Sequence, residues 1–491
     1  MLQKIKSFLF RNTTAKQTVA KNTVWLTISN FGGRAIKAVI IIYAARVLGT
    51  AGYGVFSYVI TLAGFCTFFV DPGVNYILMR ETSKADETRQ QELFSTTFVM
   101  KLTLIAATVL FIVFGAPHFS TLPGAKVLLP IAALVVAADT LREFFSSLLR
   151  ARERMEWEAG VFLLTNAGIL ALGFVFLVMT PTPRALLWGY ALGTVLGALA
   201  ATWAVRNQLK DLLARASRRL VMPIVRAAWP FAITGALGSL LTSADIFIVS
   251  WMRGASDVGI YSAAVRIVQV LYVIPMVLQY STLPLLSRLA HQDDARFRTI
   301  FERTISVVFL LSVPLALGGL ILGTPIMQFV FGAAYGGGGL SFKILMLTLL
   351  FDFPLTIIGA AIFAYDRQKN LIVSAIIAGV LNTGFDLALI PIFGIAGSAL
   401  ATLLAQAATN WYLWRKMNQI NRFSVFPRLG RIIAAGLGMA LVVAALALLH
   451  MHVLVSIAAG GITYLLLLYL LREPLLREMR SIARPAPEVI S

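Results

Sequence analysis

Long apolar runs, each ended by a short polar or basic segment, recur along the chain from residue 22 to residue 471. About 20 apolar residues suffice to cross a bilayer as an α-helix. The pattern predicts about fourteen such spans: 22–48, 53–79, 92–115, 125–149, 157–180, 184–206, 225–252, 258–287, 300–323, 340–365, 370–391, 395–415, 432–449 and 453–471. Connections are short, and no segment between spans is large enough for a globular domain. The expected fold class is an all-α integral membrane protein.

Against this apolar background the polar positions stand out. In the first span, Thr27, Asn30, Arg34 and Lys37 follow at i, i+3, i+7 and i+10 and so share one helical face. Arg34 lies about 18 Å from the start of the span, near the bilayer midplane. Insertion scales charge about 2.5–3.5 kcal/mol for each central Arg or Lys. The stripe is therefore expected to face a bundle interior or a wet cavity, where an anion is the natural visitor. The alternative is structural pairing with acids on neighbouring helices.

Composition agrees with the membrane reading: 58% of residues are hydrophobic and 13% charged. The net charge of +20 would suggest nucleic acid in a soluble protein. Here the distribution of charge explains it. With the N-terminus inside, most of the 42 Lys and Arg residues fall in cytoplasmic segments, and the outer loops hold only Arg46, Lys126, Arg184 and Arg253. Both termini are expected in the cytoplasm. Residues 1–21 form a basic tail in which Leu2, Ile5 and Leu9 can make a short interfacial helix or stay solvated. No cleavable signal pattern precedes the first span, which is expected to be retained. The single cysteine, Cys66, excludes a disulfide framework within one chain.

A weak duplication runs through the chain. Gly49-Thr-Ala-Gly-Tyr-Gly54-Val-Phe-Ser57 resembles Gly254-Ala-Ser-Asp-Val-Gly259-Ile-Tyr-Ser262, and Gly189-Tyr-Ala-Leu-Gly-Thr194 resembles Gly397-Ser-Ala-Leu-Ala-Thr402. Each unit holds six spans, and an even number returns the chain to the same side. The expected plan is two parallel six-helix lobes, 22–219 and 220–420, and an accessory helix pair within 421–491. Spans 13 and 14 lack Asp, Glu, Lys and Arg in their apolar cores.

Other ionisable groups lie within spans. Arg266, with Gln269 at i+3, joins Arg34 and Lys37 as a deep cation, and with Asn30 these are the candidate substrate-binding residues. Asp71 precedes a helix-breaking Pro72-Gly73 pair. Asp245 has Thr242 at i−3. Asp352 and Asp386, the latter near Asn382, fall in spans 10 and 11. Asp71, Asp245, Asp352 and Asp386 are candidates for ion coupling or for cavity ion pairs. Asp139, Arg142 and Glu143 are expected to pair among themselves. Lys101 and Lys343 are expected to snorkel to the interface. Gly336 to Gly339 reads as a flexible loop, since no Lys-Ser/Thr follows it as a nucleotide loop would need. His118, His291, His450 and His452 show no metal-ligand spacing, and there is no nucleophile elbow. No cofactor or metal is expected, and the coupling ion, if any, is H⁺ or Na⁺.

Three stretches carry a family resemblance. Ala44-Ala-Arg-Val-Leu-Gly49 through Gly52-Tyr-Gly54 and Ser57, Asp71-Pro-Gly-Val-Asn75 with Arg80-Glu81, and Asp245-Ile-Phe-Ile-Val-Ser250 through Val258 to Arg266 resemble bacterial polysaccharide flippases of the Wzx kind. These belong to the multidrug/oligosaccharidyl-lipid/polysaccharide exporter superfamily. The resemblance implies transport, not catalysis. It implies flipping of an undecaprenyl-pyrophosphate-linked glycan from the inner to the outer leaflet of the bacterial inner membrane, by rocking of two lobes. It places Arg34, Lys37 and Arg266 where cationic cavity residues occur. Membrane lipids and polysaccharide polymerase machinery are the implied partners, and nucleic acid is not. An organic-cation antiporter of the same superfamily is the nearest rival, and it should show an acidic or aromatic cavity. A membrane polysaccharide polymerase or ligase would need a substantial outer loop with catalytic groups.

Overall fold

The structure is a computed structural model describing residues 15–82, 86–206, 209 and 215–475, with backbone alone for some helical residues, including Thr27 and Asn30. The expected interfacial helix of the N-terminal tail, with Leu2, Ile5 and Leu9, lies outside the described residues, as do the side chains of Thr27 and Asn30. The described residues are mostly helical, with no strand among them. Eleven stretches among them are long and apolar enough to cross a membrane. The first, Phe31–Val70, contains two helices on either side of a kink at Gly49. Two more helices, Leu129–Ala151 and Ile395–Ile420, occupy the expected fourth and twelfth spans but carry more polar residues. The chain is therefore a multi-pass all-α membrane protein of the expected class.

Residues divide into two compact units, 1–259 and 260–491. The first contains α1 (Ala15–Val70), α2 (Val74–Thr82), α3 (Glu87–Leu110), the short α4 (Ala116–Phe119) and α5 (Pro123–Lys126), α6 (Leu129–Ala151), α7 (Met155–Met179), α8 (Pro183–Ala204) and α9 (Arg218–Met252). A π-helical turn, Phe111–Gly115, joins α3 to α4. Gly49 has φ +67, a left-handed conformation that glycine adopts without a Cβ penalty, and this permits the kink between the first two spans. At the other end of the second span, α1 stops at Val70 and Gly73 takes φ +88, as the Pro72-Gly73 pair predicts.

Without a hydrophobic drive between helices in lipid, close backbone packing has to hold them. Gly189, Gly193 and Gly197 recur every fourth residue on α8 and face α7. A Cβ on Gly189 would sit 2.5 Å from Gly173 Cα, one on Gly193 would sit 2.5 Å from Ile169 N, and one on Gly197 would overlap Thr165. A second close approach joins the segments matched by the internal duplication. A Cβ on Gly54 would strike the carbonyl of Ala255, and one on Gly259 would strike the carbonyl of Thr50. Thr50 aligns with Ala255 and Gly54 with Gly259, so the contact is reciprocal between equivalent positions, as in an isologous interface. Ser256 Oγ donates to Thr50 Oγ1 across it at 2.8 Å.

α10 (Ala255–Leu271) leads into the second unit, which continues with α11 (Val273–Leu289), α12 (Asp294–Phe331), α13 (Gly339–Ala364), α14 (Gln368–Phe393), α15 (Ile395–Ile420), α16 (Phe426–Leu448) and α17 (Val453–Leu470). The eighth span is interrupted at the single residue Tyr272, whose backbone stays in the right-handed helical region (φ −63, ψ −11), and the apolar pattern does not signal this. The accessory pair α16–α17 packs on α12, where Tyr464 donates to the Leu310 carbonyl at 2.8 Å. Tyr365, just past α13, donates to Asp294 at 2.7 Å and accepts from Asn421 at 2.9 Å. Burial is the main cause that pushes its phenol up to about 12, so it remains a donor.

The expected flexible glycine loop is instead ordered. Ala333–Gly338 forms a 3₁₀-helix. A Cβ on Gly338 would come 2.5 Å from Ile260, and one on Gly339 would overlap Thr324. These glycines serve close packing, which composition alone does not distinguish from flexibility.

Gly193→Ala is expected to destabilise the protein by about 1–3 kcal/mol, because the added methyl meets backbone that cannot yield. Gly160→Ala, where nothing lies within 4 Å, should be neutral or stabilising by up to about 1 kcal/mol. Thermal unfolding of the two variants in detergent checks the contrast.

Candidate functional site

The apolar face of α1 packs against α7 and α6, and this turns the polar face of the first span toward a cavity of about 360 Å³ within the first unit. Arg34 and Lys37 line it together with Asp139 and Arg142 of α6, Thr165 and Asn166 of α7, and Tyr190 and Thr194 of α8. Three basic side chains and one carboxylate thus share the wall. Lys37 Nζ stands 5.6 Å from the centroid of the Tyr190 ring, a cation–π arrangement. Arg34 is exposed and makes no ion pair or hydrogen bond among the described residues. Gly33 is what lets α1 approach: its hypothetical Cβ would overlap the ring of Phe162.

Arg142 is held rather than free. It reaches Asp139 at 2.9 Å and Glu143 at 3.4 Å, while Arg150 pairs with Glu143 and Glu158. This is the internal pairing expected of the fourth span. Its acids are spent on arginines of the same network, so the cavity keeps its cationic character.

The remaining candidates are distributed. Asp71 accepts from the backbone of Asn75 at 3.1 Å, capping α2, and pairs with Lys101 Nζ at 3.1 Å. Lys101 was expected to snorkel, but it is fully buried and also donates to the Val70 carbonyl at 3.2 Å. The physical reason lies in α3. That helix starts at Glu87 and not near residue 92, which puts Lys101 about 21 Å along it. At that depth it reaches the backbone carbonyl that the Pro72-Gly73 break leaves unbonded. Asp245 is half-buried on α9; the Thr242 hydroxyl one turn before it bonds the Gly238 carbonyl at 2.7 Å. In the second unit, Arg266 is half-buried and donates to Gln269 at 3.2 Å. Asp386 is fully buried and accepts from Asn382 at 3.1 Å. Asp352 is hydrogen-bonded by Tyr272 and Gln406.

The structure therefore brings Arg34 and Lys37 together in one cavity and adds wall residues that the sequence reading passed over. Asn166, Tyr190 and Thr194 are polar positions inside apolar spans, and Tyr190 and Thr194 stand at i and i+4. The same rule that selected Arg34 and Lys37 could have found them. Two larger cavities in the first unit, about 520 and 630 Å³, are mostly apolar, walled for instance by Phe65, Phe69 and Phe247 or by Val99, Val225 and Trp229. They offer little beyond room for hydrocarbon.

The fold has counterparts among known proteins. The family described as "Polysaccharide biosynthesis protein" matches residues 19–290, more than half of the chain. The chain belongs to that family. Residues 230–388 also match the MatE family. The chain is similar to the "Putative O-antigen transporter" of Shigella flexneri, 23% identical over 371 residues, with 72% of this chain and 86% of that protein covered. It is also similar to the "Probable low-salt glycan biosynthesis flippase Agl15" of Haloferax volcanii, 23% identical over 402 residues, covering 79% and 81%. Among solved structures, "Lipid II flippase MurJ, inward closed conformation" superposes with a TM-score of 0.75 at 18% identity over 92% of this chain and all of that one. An inward-facing multidrug resistance MATE family transporter gives 0.66 at 14% identity, over 82% and 99%. At these identities the likeness establishes a shared fold. The expected class, a membrane transporter rather than an enzyme, accords with the family and with these relatives.

Lys101→Met is expected to destabilise this family member by about 3 kcal/mol, since it leaves Asp71 beside hydrocarbon without its partner. Adding Asp71→Asn should restore a substantial part of the loss. Unfolding of both single variants and the double variant measures the coupling, and additive losses would show that the pair is not the cause.

Proposed function

We propose that this protein flips a polyprenyl-pyrophosphate-linked oligosaccharide, a repeat unit of a cell-surface polysaccharide, from the inner to the outer leaflet. The observation that carries the reading is the placement of Arg34 and Lys37 in the wall of one polar cavity. A pyrophosphate cannot enter hydrocarbon bare. Charge-assisted hydrogen bonds, each worth about 1.5–3 kcal/mol, replace the water it gives up. Thr165 and Thr194, whose hydroxyl protons go to carbonyls of their own helices, offer acceptors to sugar hydroxyls, Asn166 keeps one amide proton beyond its bond to the Phe162 carbonyl, and the Tyr190 ring offers a face for a sugar to stack on. Asn30 belongs to the same helical face by spacing. Arg266, in the second unit, is a further candidate cation. The polyprenyl chain stays in lipid while the polar head passes.

Alternating access of two lobes supplies the movement. Asp71, Asp245, Asp352 and Asp386 are the acids available for coupling to H⁺ or Na⁺, with Asp71 acting in its pair with Lys101. The chain lies in the bacterial inner membrane with both termini in the cytoplasm, as the Lys/Arg distribution supports. Undecaprenyl is the lipid expected of that membrane, and polysaccharide polymerase machinery is the natural receiver of the flipped unit. The names of the Shigella and Haloferax relatives support a glycan cargo.

Purified protein is expected to bind a polyprenyl-pyrophosphate oligosaccharide, and Arg34→Ala with Lys37→Ala should weaken binding at least about 100-fold. Loss of two such bonds amounts to about 3 kcal/mol or more. Unchanged affinity in the double variant would remove the site from this cavity. Binding of organic cations in place of the glycan lipid would favour the antiporter.

A further inference from the structure

The second unit holds a half-buried carboxyl group, one oxygen of which is fully buried. Asp352 is the fourteenth residue of the 26-residue α13, about 20 Å from its start and so near mid-membrane depth. It faces the point where the eighth span is interrupted between α10 and α11. Tyr272 occupies that point, and its hydroxyl hydrogen-bonds the Asp352 carboxyl. Gln406 of α15 bonds both Asp352 and Tyr272. Thr348 stands beside the same phenol, but its proton goes to the Leu345 carbonyl at 2.6 Å.

The hydrogen-bond count of this cluster does not close with an ionised carboxylate. The amide protons of Gln406 serve Asp352 and Tyr272, and the proton of Tyr272 serves Asp352. Two buried acceptors, Asp352 Oδ2 and Gln406 Oε1, then have no donor among the described residues. They belong to side chains already bonded to each other. A single proton on the carboxyl supplies the missing donor. A hard metal cation is a poorer answer, because such ions take about six to eight oxygens in the case of Ca²⁺, and two unsatisfied oxygens fall well short.

We propose that Asp352 is a proton-binding site, its carboxyl held in the protonated form with the proton on Oδ2 beside the amide of Gln406. The groups bearing on it, Tyr272 and Gln406, are both neutral. Of the charged side chains on the packed helices, Arg288, Arg296, Arg303 and Lys369 lie within ten residues of helix ends, away from mid-membrane depth, and the others make bonds of their own. On α12, Glu302 pairs with Arg428 and Arg298 bonds Asn421. On α15, Arg415 stacks on Trp411 and Lys416 lies over Tyr412. Asp386 of α14 bonds Asn382. On α13 itself Lys343 lies nine residues away, about 13 Å along the helix. Release of the proton would leave a carboxylate with donors but no counter-charge at that depth, which is costly unless water enters. The one-residue interruption at Tyr272 is the irregular point of backbone that adjoins the carboxyl. The proton therefore binds while the cluster is closed and leaves when movement at Tyr272 wets it. The site rests on its own hydrogen-bond chemistry, and only its use as the coupling site rests on the transport reading above.

Difference infrared spectroscopy of the purified protein tests this without any glycan. At neutral pH the intact protein should show a protonated-carboxyl C=O band that Asp352→Asn abolishes. Asparagine keeps the shape and a donor, so this variant should unfold near the parent temperature. Tyr272→Phe, which removes one donor but not the acid, should shift the band; it carries the test alone if Asp352→Asn does not fold. Absence of the band in the intact protein, its persistence in Asp352→Asn, or an unmoved band in Tyr272→Phe would overturn the proposal. In proteoliposomes an imposed proton gradient should stimulate glycan transport by the intact protein but not by Asp352→Asn. A protein that shows the band yet flips no glycan would keep the proton site and discard the cargo.

Discussion

A charge placed in hydrocarbon has to find a counter-charge, a shell of donors, water or a ligand. Among the described residues, several intramembrane charges meet that constraint in a way that can be named. Lys101 is fully buried and has both a carboxylate and a freed backbone carbonyl. Arg142 and Arg150 share three acids with each other. Asp386 has Asn382. Arg34 stands apart, exposed to a cavity with no ion pair among the described residues. Among the described residues nothing completes it, and a bound anion would; this is the physical root of the anion-transport account.

The same economy shapes the backbone. Hydrocarbon gives helices no hydrophobic reason to associate, so the structure relies on glycines that let main chains touch. The α7–α8 contact uses three of them in register, and the reciprocal Gly54 and Gly259 contact uses equivalent positions of a duplicated sequence. Where the ladder is interrupted, at Pro72-Gly73 and at Tyr272, a side chain occupies the gap. In the first case Lys101 takes the exposed carbonyl. In the second, Tyr272 itself reaches across to Asp352. Breaks in helices and buried ionisable groups thus occur together.

Much of this is legible in the sequence, because the period and length of apolar runs report helices and spans directly. The all-helical, many-span class and the Pro72-Gly73 break follow from one-dimensional spacing, as does the common helical face of Arg34 and Lys37. What was not readable depends on three-dimensional register. Lys101 looked like an end-of-helix lysine because its distance from the true start of α3 depends on a polar first turn, Glu87 to Gln91, which an apolar window excludes. The glycines at 336–339 look identical whether they flex or pack. Asn166 and Tyr190 could have been found from their polarity, but only the packing of α1 on α7 and α8 assigns them to the same cavity as Arg34.

The central claim is that a lipid-linked anion crosses by way of the Arg34–Lys37 cavity. The most direct measurement is leaflet exchange of a polyprenyl-pyrophosphate oligosaccharide in proteoliposomes, read by access of a membrane-impermeant sugar-cleaving enzyme to the outer face. The account predicts exchange by the intact protein and none above protein-free vesicles for Arg34→Glu with Lys37→Glu, with the variant still folded. Equal rates for the two proteins would contradict it.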